Sequence, residues 1–65
     1  MHDERFRVEL HERAGSWNVE IVDAEGSVRS QRSCRDHLEA RTYASTVRQH
    51  LSWLSTERFR EYYRL

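Results

Sequence analysis

The sequence predicts an α+β domain: a three-stranded antiparallel sheet packed by one long helix, with a short C-terminal helical tail, in the order β-β-β-α-α. Three observations carry this. Apolar residues alternate with polar ones at Phe6, Val8 and Leu10 and again at Trp17, Val19 and Ile21, the period of a strand with one buried face. The only two glycines, Gly15 and Gly26, each fall where a hairpin must turn. Beyond residue 37 the period lengthens, and Ala40, Tyr43, Ala44, Val47, Leu51 and Leu54 line up along one helix face.

Each element has its own signal. The first strand turns Arg7, Glu9 and His11 outward and ends in a loop over residues 12–16. The second turns Asn18, Glu20 and Val22 outward. Asp23-Ala24-Glu25-Gly26 fits a type I turn with glycine in the left-handed bulge position. The third strand, residues 27–35, places Val28, Ser30, Arg32 and Cys34 inward and Arg29, Gln31, Ser33 and Arg35 outward. It is the least apolar of the three and reads as an edge. Asp36 and Glu39 form a capping box for a helix over residues 37–54. Extending that helix would bring Arg58 into its apolar stripe, so a break is expected at Ser55-Thr56, where Ser and Thr are good caps. Residues 57–65 then make a short second helix.

The 65 residues form a single small domain, 1–65, that buries only about 60% of its unfolded surface. The one cysteine, Cys34, rules out an internal disulfide. Association with a second copy or with another protein is the expected remedy. No apolar run approaches the ~20 residues of a membrane span, and MHDERFR lacks the apolar core of a signal peptide. A cytoplasmic protein without membrane partners is expected.

Chemistry is sparse. No glycine-rich phosphate loop is present, and no carboxylate pair stands out for acid–base work. Cys34 precedes a helix start with His37 three residues on, a setting that can activate a thiol. Without an oxyanion nest or orienting third group it reads instead as a small buried hydrophobe. His2, His11, His37 and His50 with Asp3, Glu4, Glu12 or Cys34 show no tight ligand spacing and read as surface residues. We therefore expect no enzyme, cofactor or metal.

Two surfaces carry binding chemistry. Trp53 points about 130° off the helix stripe at ~100° per residue, and Trp53, Arg58, Phe59, Tyr62 and Tyr63, with Arg60, concentrate interface-type side chains in eleven residues. The tail either covers Trp53 or joins it in a partner-binding surface. The outer sheet face, with Arg7, Arg29, Gln31 and Arg35, and a helix flank with Arg41 and Arg48, offers the second. A β-ribbon with Arg and Gln can read a major groove. Against this stands the charge balance, 11 basic residues (all arginine) and 11 acidic for a net charge of zero, which opposes a purely electrostatic hold on nucleic acid.

The stretch Trp17 to Ala44, W-N-V-E-I-V-D-A-E-G-S-V-R-S followed by D-x-x-E-A-x-x-Y-A, resembles the arm-DNA-binding domain of tyrosine recombinases. That resemblance implies a sheet in the major groove with Arg29, Gln31 and Arg35 as readers. The order of elements is also similar to the HicB-type antitoxin domain, which dimerises and blocks a toxin nuclease, and the size is that of phage anti-CRISPR inhibitors. The expected function is a non-enzymatic protein-interaction module of antitoxin or phage-inhibitor type, binding a protein partner or a second copy. The alternative is a small DNA-binding module.

Overall fold

A computed structural model describes residues 6–65. Its elements are β1 (Arg7–Arg13), β2 (Ser16–Val22), β3 (Val28–Cys34), α1 (His37–Trp53) and α2 (Thr56–Tyr63). The α+β class and the β-β-β-α-α order are as the sequence predicts. The sheet is antiparallel with β2 in the middle, so both β1 and β3 are edges.

The first turn is tighter than the expected five-residue loop. Arg13 pairs with Ser16, leaving Ala14 and Gly15 as a two-residue turn with φ of 52° and 81°. Two successive positive φ values define a type I′ hairpin, whose twist matches that of the strands it joins. The second turn is held by Asp23. Its Oδ1 accepts from the amides of Glu25 and Ser27, both at 2.9 Å, and its carbonyl accepts from Gly26 N at 3.0 Å. Gly26 has φ of 88°, the left-handed position expected of it.

The bulge this turn feeds changes the facing of β3. Ile21 pairs with Ser30, but Val22 pairs with Val28, so Arg29 has no partner in the ladder. One extra residue reverses the facing of what precedes it. Val28, expected in the core, is 51% exposed, while Val22, expected on the open face, is buried.

The capping box of α1 forms. Asp36 accepts from Glu39 N at 2.9 Å, and Glu39 Oε1 accepts from Arg35 N at 2.6 Å. The helix stops at the expected break: Leu54 is its extended C-cap, and Ser55 caps α2 by accepting from Arg58 N at 3.2 Å. Fully buried Ala40 and Ala44 let α1 lie close against the sheet, where it covers β1 and β2 more than β3.

The core joins Phe6 and Val8 of the first strand region, Val19 and Ile21 of β2, Cys34, the α1 residues Ala40, Ala44 and Val47, and Phe59 of α2. Phe59 is the largest side chain buried without residual exposure. It closes the end of the two-layer core, so α2 is part of the fold. No described helix is long and apolar enough to cross a membrane.

Candidate functional site

The end of α1 and the face of α2 build one corner of the molecule. At its centre is His50, on the last turn of α1. Its Nδ1 lies 2.7 Å from the Tyr63 hydroxyl, and its ring lies 4.8 Å from that of Tyr62. Tyr62 in turn meets Tyr63 edge-on at 4.9 Å. Burial, with the nearby Tyr43 and Tyr62 hydroxyls, pushes the Tyr63 pKa up to about 12. Trp53 stands three residues beyond His50, and Arg58 stands four before Tyr62, each one turn along its helix.

The candidate partner-binding residues separate into two groups here. Trp53 is 75% exposed and Tyr62 63%, and Arg58, one turn before Tyr62 on α2, is exposed too. Phe59 is removed from the surface: it is fully buried against Phe6, with ring centroids 5.4 Å apart. Tyr63 is half-buried and packs on the core. Arg60 is exposed. The tail thus covers the core and leaves Trp53 open. Helical spacing explains the division, since Phe59 and Tyr63 are four apart on the inner face, while Arg58 and Tyr62 take the outer one.

The candidate nucleic-acid residues are not gathered onto one ribbon. Arg7 is on the outer face, where its Nε donates to Glu9 Oε2 at 2.6 Å. Arg29, expected beside Gln31, sits at the bulge with its Nη1 3.4 Å from Asp23 Oδ2. Gln31 remains outward, opposite Glu20. Arg35 lies past the end of β3, in the turn before α1. Arg48 reaches from α1 to the edge of β1, donating to the Val8 carbonyl at 3.2 Å, and Arg41 lines a shallow hollow beside it.

The middle of the outer face is acidic instead. Glu9 and Glu20 are direct cross-strand partners. His11 Nε2 stands between them, 3.0 Å from Glu9 Oε1 and 3.4 Å from Glu20 Oε1. The hydrogen bonds from Arg7 first, and then from His11, hold the Glu9 carboxyl below the usual range. All three residues fall on the outward set of the strand alternation, which by itself does not join them. The missing information was the register, which the two-residue turn sets.

Of the other residues considered for chemistry, Cys34 is buried in the core. The His37 ring packs on that of Trp17 at 4.6 Å. His2, Asp3 and Glu4 lie outside the described residues. Arg32, on the inner face of β3, stacks its guanidinium 4.6 Å from the Tyr43 ring centroid, closing the core on its open side.

No family model, curated protein or solved structure matches this chain.

Proposed function

We propose that the chain is a non-enzymatic protein-interaction module that works by occluding a surface of a partner protein, with Trp53, Tyr62 and Arg58 as its contact residues. The supporting observation is the exposure of Trp53 (75%) and Tyr62 (63%), in a domain whose remaining aromatic rings are at least half-buried. Leaving a tryptophan in water forfeits roughly 2–3 kcal/mol of burial free energy. Trp, Tyr and Arg together are the residue types that dominate interface energetics. The His50–Tyr63 hydrogen bond and the tilted packing of Tyr62 on His50 restrict the Tyr62 side of the surface, which lowers the entropy cost of docking.

The inhibitor role, antitoxin-like or phage-type and directed at a nucleic-acid enzyme or defence complex, rests on the pattern resemblance alone. A cytoplasmic setting accords with a lone reduced cysteine. The DNA-binding alternative is the weaker reading, because Arg7 and Arg29 are committed to Glu9 and Asp23 and the outer face centres on two glutamates. Binding assays on the intact protein and its Trp53→Ala/Tyr62→Ala variant, with circular dichroism to verify folding, test the proposal. Partner binding or self-association should fall with the aromatic pair. Loss through Arg29→Ala/Arg35→Ala alone, with duplex DNA bound at low salt, would favour the alternative.

A further inference from the structure

We propose that Glu9, His11 and Glu20 form a binding site for a first-row divalent cation, with Zn²⁺ as its best-suited occupant, clamping β1 to β2 on the open face of the sheet.

Two glutamates placed directly opposite across an antiparallel pair repel each other, and Glu9 and Glu20 are so placed. Glu20 is only 6% exposed although it lies on the outer face. A carboxylate that far from water needs compensation, and its one ion-pair partner among the described residues is His11 Nε2, at 3.4 Å. A single imidazole thus serves two carboxylates.

The geometry is that of a ligand set. One atom from each residue lies within 4.8 Å of the other two. The separations from His11 Nε2 to the Glu9 and Glu20 oxygens, 3.0 and 3.4 Å, bracket the ligand–ligand edge of about 3.3 Å in a tetrahedron with zinc bonds near 2.05 Å. Two of the ligands alternate on one strand and the third comes from its hydrogen-bonded neighbour, so the backbone ladder holds all three. Arg7 completes the support. Its Nε binds Glu9 Oε2 at 2.6 Å, leaving Oε1 turned toward His11, the outer-shell arrangement that fixes a ligating carboxylate.

The donor set selects the ion. One imidazole nitrogen and two carboxylates suit zinc and its neighbours. Ca²⁺ and Mg²⁺ require six or more oxygens or a full octahedron, which this face does not supply. Three protein ligands leave positions for water. The cation would exchange a strained pair of like charges for a cross-link, and its binding free energy would add to folding.

The test is a Zn²⁺ titration of the intact, chelator-treated protein by calorimetry in a non-coordinating buffer, paired with thermal melts. The wild type should bind one Zn²⁺ per chain, and its Tm should rise by about 20 °C at a hundredfold excess over Kd. Millimolar Ca²⁺ should leave both readings unchanged. Glu20→Gln and His11→Gln should each weaken Zn²⁺ binding at least tenfold. Glu20→Gln should also melt at or above the metal-free wild type, since it removes the repulsion, which separates a lost ligand from a lost fold. Zinc affinity kept within tenfold in both variants, or no saturable binding up to millimolar Zn²⁺, would overturn the proposal.

Discussion

Phe59 of α2 meets Phe6, the residue just before β1, with ring centroids 5.4 Å apart. The last helix therefore closes the same core that the first strand opens. This contact makes the tail a structural element, and it leaves Trp53 and Tyr62 as the two exposed aromatic side chains among the described residues.

Truncating Phe59 should accordingly be severe. Phe59→Ala removes a fully buried ring and should cost about 3–5 kcal/mol through lost burial and the cavity left behind. In a domain of this size that is a large fraction of total stability. Chemical denaturation monitored by circular dichroism checks it. A cost below 1 kcal/mol would mean that α2 is not seated in the core.

The first hairpin carries a correctable strain. Ala14 adopts φ of 52°, a region that costs a residue with a Cβ about 1–2 kcal/mol. Asparagine and glycine tolerate it, and Asn-Gly is the preferred type I′ pair. Ala14→Asn should therefore raise stability by about 0.5–1 kcal/mol, seen as a higher melting temperature. An unchanged or lower value would contradict the turn assigned here.

Acid should loosen the second hairpin through Asp23. The Ser27 amide above all, then that of Glu25 and the nearby Arg29, holds its carboxyl below the ordinary value of 3.8. A carboxyl depressed in the folded state stabilises it above the unfolded pKa, and that contribution disappears as pH falls through the folded one. Melting temperature should drop below about pH 4, with Glu9 contributing in the same direction. Asp23→Ala should lower stability at pH 7 and flatten the acid limb. An acid limb identical to wild type would show that Asp23 carries no such linkage.

Much of this fold is legible in the sequence because its signals are local. Period-2 alternation, the glycines of the two turns, the Asp36–Glu39 cap and the conflict at Arg58 place all five elements within a few residues. What is not legible depends on register. The bulge at Arg29 turns Val28 outward and draws Arg29 to Asp23, and no local pattern announces an extra residue in a polar strand. The Glu9–Glu20 pairing likewise follows from a turn of two residues where the sequence suggested five. On α2, the candidate site divides because Phe59 and Tyr63 serve the core, a role that depends on where the tail docks after the break.

As proposed contact residues for a partner, Trp53 and Tyr62 should contribute little to the fold. Sedimentation analysis of the wild type across high micromolar concentrations, with melts of Trp53→Ala and Tyr62→Ala in parallel, tests whether that partner is a second copy. An affinity capture from native cells, quantified against the same two variants, tests a different protein. The most direct single measurement is the affinity for whichever partner is retained, wild type against Trp53→Ala, alongside the melting temperature of each. The account predicts a loss of about 2 kcal/mol or more in binding with nearly unchanged melting. Full affinity in Trp53→Ala, or a collapse of its melting temperature, would contradict it.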